Sequence, residues 1–175
     1  MKDKIIIKEA KRVLNAELAG IKSLSKTFNN KFITLVRGIT NTKGRVIVTG
    51  MGKSGHIANK ISATLASTGT PSFFVHPAEA SHGDLGMITK DDCILALSNS
   101  GKSSELNAII NYSKRYNVPL YSITANSRGI LYKKSTVGLV LKKFNEACSL
   151  NLAPTTSTSM MLILGDAIAV TLLKI

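Results

Sequence analysis

The sequence predicts an α/β protein with a doubly wound, five-stranded parallel sheet preceded by an N-terminal helical segment. Two features of the 175 residues lead there. Beyond about residue 45, short apolar runs alternate with stretches of helical spacing, the pattern of strands joined by helices. The apolar runs are rich in Val, Ile and Leu and do not alternate with polar residues, as expected of strands covered on both faces.

In chain order, apolar residues recur near helical spacing from Ile5 to about Val36 (Ile6, Val13, Leu14, Leu18, Ile21, Leu24), with Gly20 as a soft spot. This gives one long helix or two joined ones. "RVIVTG", "SFFVH", "CILALS", "PLYSITA" and "TVGLVLK" then read as five strands. Helices are expected over Gly55 to Ser67, Ser103 to Tyr116, Ser127 to Lys133 and Thr156 to Leu173. No repeat or linker interrupts the series, so a single domain over residues 1–175 is expected, with a helical segment at 1–38 and an αβα core at 45–175. Ligands of such sheets lie outside the carboxyl ends of the strands, which directs attention to the loops after "VIVTG", "FFVH" and "ILALS".

Composition limits the partners. The net charge is +13, and the chain up to Lys60 holds thirteen Lys and Arg against Asp3, Glu9 and Glu17. Aromatic residues make up 5% and Trp is absent, so stacking platforms for bases are lacking and no nucleic-acid partner is expected. The charge reads as a solvated helix face, which would also concentrate a small phosphorylated substrate. The N-terminal stretch has only three consecutive apolar residues, and the apolar run from Met160 to Leu173 is broken by Gly165 and Asp166 and short for a bilayer. A cytoplasmic protein without membrane attachment is expected. Cys93 and Cys148 stand apart, which fits packed, reduced thiols.

"VIVTGMGKSGHIANK" satisfies G-x-G-x-x-G through Gly50, Gly52 and Gly55 and ends a near-match to the P-loop at Gly52-Lys53-Ser54. The P-loop would need a glycine where Ile47 stands inside the strand, and "CILALS" ends in Ser98 rather than a magnesium-binding Asp. A dinucleotide site would need an acid after the next strand, which ends in Val75, His76 and Pro77. Both readings fall, and what they share survives: glycines and a helix N-terminus that favour an anion. A second strand-loop-helix, "ILALSNSGKSSEL", sets Ser98, Asn99, Ser100, Ser103 and Ser104 around Gly101. Single caps need one such residue, whereas five together can satisfy several oxygens of a phosphate monoester.

"GMGKSGHIANKISATLASTGTPSFFVHPAEASHGDLGMIT", "LSNSGKSSEL" and "EACSLNLAPTTSTSMMLILGDAIAVTLL" closely resemble the sugar isomerase (SIS) domain of the arabinose-5-phosphate isomerase family. The resemblance implies a SIS-type αβα sandwich and interconversion of D-ribulose 5-phosphate and D-arabinose 5-phosphate through an enediolate. It further implies a place in 3-deoxy-D-manno-octulosonate synthesis for lipopolysaccharide or capsule, and a homotetramer with shared active sites. Two departures stand out. Lys102 occupies a position where the family usually has Glu. Many members also continue into a segment with a further active-site His in "SHPGG", often followed by paired cystathionine-β-synthase-type domains, whereas this sequence ends at Ile175.

An aldose-ketose isomerase must open the sugar ring, move a proton between two carbons and stabilise the enediolate between these steps. Lys53, in the first glycine loop, is the candidate to neutralise the enediolate. Glu146, in the long connection before the last helix, is the favoured carbon base, with Glu105 as the competing carboxylate. His82 in "SHGDLG" is the candidate ring-opening acid/base, oriented by Asp84, while His76 reads as structural. Phosphate and sugar contacts are expected from Gly52, Ser54, Ser98, Asn99, Ser100, Gly101, Ser103 and Thr155. No cofactor and no metal are called for by this chemistry. The competing reading is a non-catalytic phosphosugar-binding sensor or regulatory SIS module; a DNA-binding regulator lacks a helix-turn-helix segment to carry it.

Overall fold

A computed structural model describes residues 2–175, with side chains from Asp3 onward. Five strands, β1 (Val46–Gly50), β2 (Ser72–Val75), β3 (Cys93–Leu97), β4 (Leu120–Thr124) and β5 (Val137–Val140), form one parallel sheet in the order β2-β1-β3-β4-β5. The five apolar runs of the sequence account for all of them. The three central strands, β1, β3 and β4, are buried at every residue, which is why their sequences show no alternation. Alternation persists in where the side chains go. Val46 and Val48 enter the core on one side of the sheet, and Ile47 enters the core on the other.

The first side is covered by α2 (Asn30–Thr40), α3 (Lys53–Ser67) and α7 (Thr156–Lys174), through residues such as Leu35, Ile61 and Leu164. The second is covered by α4 (Pro77–Ala80), α5 (Asn107–Tyr116) and α6 (Ile130–Lys134), through Ala80, Ile109 and Leu131. The N-terminal segment is two helices, α1 (Lys2–Ser23) and α2, joined by a 3-10 turn at Leu24–Lys26. Asn29 starts α2 by accepting the Lys31 N–H at 2.9 Å. Gly20, expected as a soft spot, is a packing position: a Cβ there would lie 2.6 Å from Thr156 Cγ2, so α1 crosses α7 closely at this point.

Three features differ from the sequence expectation. The segment "HPAEASHGDLGM" folds as α4 and a 3-10 turn at Asp84–Met87, both too short to leave a periodic signal. The helix expected from Ser103 opens instead as a 3-10 turn at Ser104–Leu106 before α5 begins at Asn107. Finally, α7 runs to Lys174, and its 19 residues are long and apolar enough to cross a membrane by length and composition. Its burial shows another use, since Met160, Met161, Leu164, Gly165, Ile168 and Ala169 pack in the core.

Asp92 ties the entries of β1 and β3 together. Its carboxylate is buried and accepts the backbone N–H of Arg45 at 2.6 Å and of Thr89 at 2.8 Å, with the Arg45 guanidinium at 3.4 Å. Burial alone would raise its pKa, but the amides of Thr89 and Arg45 and the guanidinium outweigh it and hold the carboxyl below its usual range. A depressed folded-state pKa contributes stability above the unfolded value and loses it as pH falls through the folded one. Asp92→Asn is therefore expected to lower stability by about 2 kcal/mol near neutrality, the scale of hydrogen bonds to a charged group. Urea unfolding should show that gap closing below about pH 4, where the reference carboxyl protonates.

Candidate active site

The carboxyl ends of β1, β3, β4 and β5 carry the loops that shape the site. After β1, Gly52 adopts φ +58° and ψ −130° and stands as the N-cap of α3, so Lys53 begins the helix rather than lying in a loop. The positive φ explains the glycine, because any side chain there would be strained. Lys53 is exposed at this helix start. Ser54 is half-buried and sets its Oγ 3.8 Å from Met161 Sδ, a contact that joins the start of α3 to α7.

After β3 the serine loop is a closed system of local bonds. Ser98 Oγ accepts the Gly101 N–H at 3.1 Å and lies 3.0 Å from Ser103 Oγ, while Ser100 Oγ accepts the Lys102 N–H at 3.2 Å. Gly101 has φ +63°, and a Cβ there would lie 2.9 Å from Thr124 Oγ1. The loop is braced from outside. Thr124 Oγ1 donates to Asn99 O at 3.3 Å, Asn126 Nδ2 donates to Ser100 O at 2.8 Å, and the Leu131 N–H donates to Gly101 O at 3.2 Å. The loop after β4 therefore holds the serine loop in shape. Asn126 is missed by sequence reasoning, although it follows a strand at its ligand end.

After β5 the chain turns through Lys142 and Lys143 to Glu146, whose Oε2 accepts the backbone N–H of Thr155 at 2.8 Å and of Ser157 at 3.2 Å, with Thr155 Oγ1 at 3.2 Å. Thr155 is the N-cap residue of α7, so the carboxylate completes the helix start that the Thr/Ser run announced. Burial pushes its pKa up, but hydrogen bonds from Ser157 and Thr155 prevail and keep Glu146 below the ordinary carboxylate range. It is ionised at neutral pH. Thr155 Oγ1 also accepts the Ala147 N–H at 2.8 Å, and Asn151 Oδ1 accepts the Glu146 N–H at 2.7 Å. From α1, Arg12 Nη2 donates to Ala147 O at 2.5 Å. Cys148, expected as a packed thiol, is half-buried in this loop, where backbone amides led by those of Ala153, Leu152 and Leu150 hold its pKa below the usual thiol value. Cys93 matches the expectation, buried and pushed up to about 11 by that burial.

The loops after β3, β4 and β5 enclose a cleft of about 580 Å3, lined among others by Asn99, Ser100, Asn126, Glu146, Ser157 and Met160. Its volume suits a small polar ligand. Of the candidates, Asn99, Ser100 and Glu146 line it, whereas Ser54, Ser98, Gly101, Ser103 and Thr155 do not. Gly52 and Lys53 do not line it; they stand at the end of β1, the strand next to β3. Glu105 is exposed in the 3-10 turn, where its carboxylate accepts from Ser104 Oγ at 3.3 Å, and it does not line the cleft. His82 is also exposed, with no hydrogen bond to Asp84 among the described residues; Asp84 opens the following 3-10 turn. His76 is structural, as read: its Nδ1 accepts the Ala78 N–H at 3.3 Å at the start of α4. Asp166 likewise serves the scaffold, paired with Lys60 across α3 and α7.

In this parallel αβα sheet, Asn99 and Ser100 of the serine-rich loop after the third strand line one cleft with Glu146. The SIS domain family model matches residues 38–171, and the chain belongs to that family. Among relatives, it is 52% identical over 168 residues to the arabinose 5-phosphate isomerase KdsD of Pseudomonas aeruginosa, covering 96% of this chain and 52% of that protein. It is 51% identical over 164 residues to KdsD of Escherichia coli K12, covering 94% and 50%. The chain thus spans about half the length of the curated relatives it matches. Among solved structures, the arabinose 5-phosphate complex of E. coli CFT073 c3406 superposes with a TM-score of 0.95 at 37% identity, covering 99% of this chain and 93% of that one.

Proposed function

We propose that this chain is an aldose-ketose isomerase that interconverts D-ribulose 5-phosphate and D-arabinose 5-phosphate through an enediolate, supplying 3-deoxy-D-manno-octulosonate synthesis for lipopolysaccharide or capsule. The observation that carries the reading is an ionised Glu146 set in one cleft with the serine loop, in a chain about half identical to arabinose 5-phosphate isomerases. Ser98, Asn99, Ser100, Gly101 and Ser103 receive the phosphate. Glu146 takes the proton from the substrate carbon, and its capped oxygen fixes the orientation of the other. Lys53 answers the charge of the enediolate, with Gly52 beside it, and Thr155 positions Glu146. His82 serves ring opening, with Glu105 as the competing carboxylate for the carbon proton; like Lys53, neither lines the cleft of its own chain, which sites shared between copies would accommodate.

The neighbouring copy has a surface to occupy. Ile5, Ile6 and Ile7 on α1 are 62%, 63% and 56% exposed, and Ile7, Leu14 and Leu18 fall on one face of the helix as an exposed apolar stripe. An apolar stripe of this length on one helix suits burial against a second subunit. A homotetramer with shared sites in the cytoplasm is the proposed working form.

Incubating the protein with D-ribulose 5-phosphate and measuring arabinose 5-phosphate tests the function, and binding without conversion would favour a phosphosugar sensor. The phosphate assignment has its own test. Ser100→Ala or Ser103→Ala should weaken arabinose 5-phosphate binding by about 1–2 kcal/mol, the scale of a hydrogen bond to a charged group. Unchanged affinity in both singles and the double mutant would remove the serine loop from the site.

A further inference from the structure

We propose that Lys142 and Lys143 form a second anion subsite in the cleft, beside the phosphate end that Lys102 borders, which takes a sugar phosphate bearing a further negative group, either a second phosphate or a carboxylate. The proposal rests on the isomerase reading for its phosphosugar and goes beyond it in ligand class. Three lysines from two separate segments, the serine loop and the stretch after β5, line the same cleft. None of them is ion-paired among the described residues. Glu146 is the sole carboxylate among the lining residues, and its Oε2 is committed to the start of α7. All three lysines are exposed, so the cleft wall carries a surplus of positive charge that a bound anion would meet.

Position separates the subsite from the phosphate contacts. Lys102 lies between Ser100 and Ser103, its N–H donating to Ser100 Oγ, so it borders the phosphate end. Lys142 and Lys143 come from the segment after β5. The Lys142 ammonium lies 5.2 Å from the centre of the Phe144 ring, and this cation–π contact restricts an otherwise mobile side chain. One phosphate at the serine loop engages Lys102 and leaves the other two lysines for a group elsewhere on the ligand. A ligand holding both anions spans the cleft, and as a competitor of the substrate it would regulate the enzyme.

Calorimetric titration of the full chain with D-ribulose 5-phosphate, D-ribulose 1,5-bisphosphate and 6-phosphogluconate tests this. At least one doubly anionic probe should bind about ten-fold tighter than D-ribulose 5-phosphate, as one more charge-assisted contact allows, with the gap narrowing in added salt. Preference for the bisphosphate assigns the subsite to phosphate, and preference for 6-phosphogluconate assigns it to carboxylate. K142A/K143A should bring the affinities within about two-fold of one another, a loss attributable to the removed charges. Equal affinities in the parent protein, or a gap that survives K142A/K143A, would overturn the subsite and leave the isomerase reading standing. Tight binding of a doubly anionic probe without binding of D-ribulose 5-phosphate would overturn the isomerase reading alone, and no binding of any probe would overturn both.

Discussion

Glu146→Gln is expected to lower turnover by roughly 10²–10⁴-fold, the usual worth of a positioned general base, while phosphosugar binding changes little. The structure gives the substitution a clean reading. A glutamine oxygen can still accept the N–H groups of Thr155 and Ser157, so the α7 start and the cleft keep their shape. What is lost is the ability to take a proton. Solvent deuterium exchange into the substrate carbon should fall in parallel with turnover, because exchange needs the same transfer. Exchange at the parent rate with reduced turnover would move Glu146 to ring opening and make Glu105 the base. The hydrogen bonds that lower the Glu146 pKa also fix the direction of its pH dependence: the base is present above the ordinary carboxylate range and is lost as pH falls through its lowered folded value. The acid limb of the rate profile should therefore lie below the position of an unperturbed Glu, and Thr155→Val, which removes one supporting hydroxyl, should move that limb upward.

The second large effect is expected at Lys53. Lys53→Met keeps the length of the stem and removes the charge, and turnover should fall by about 10²–10³-fold if the ammonium stabilises the enediolate, the magnitude of losing one preorganised oxyanion partner. The position supports that role. Ser54 packs on Met161 little more than one turn beyond the residues of α7 that Glu146 caps, so the start of α3 and the base share one end of the molecule. Steady-state kinetics with the variant discriminate the alternatives. A fall in kcat places the charge at the transition state, whereas a rise in KM with kcat intact assigns Lys53 to ground-state binding.

The strands were legible because parallel strands buried on both faces leave unbroken Val, Ile and Leu runs, and all five runs fold as read. The serine loop was legible for a related reason: five polar residues in seven at a strand end exceed what a cap needs. Other features depend on tertiary contacts that periodicity does not encode. The spacing of α1 reports an apolar face but not what covers it, and Ile5 to Ile7 remain exposed in the protomer. The orientation of Ser54 is set by Met161, more than 100 residues away. The bracing of the serine loop by Asn126 and the loop after β4 has the same origin. Glu146 was found as a candidate base, while its second duty as the cap of α7 became visible only with the backbone amides in place.

The contact between Arg12 and Ala147 O joins positions 135 residues apart. Arg12 leaves the ribosome early and must wait until every strand has been made before the carbonyl it grips exists. Such a long-range closure is slow to form and comes after the local helices have settled. The bend that carries Glu146 is thus finished by a meeting of an early-made and a late-made piece, so a nascent or partly unfolded chain holds the sheet before it holds a competent base. Because Arg12 itself is exposed on α1 while it holds the buried Ala147, fraying of that helix would release the bend first, and the shape of the cleft would be lost ahead of global unfolding.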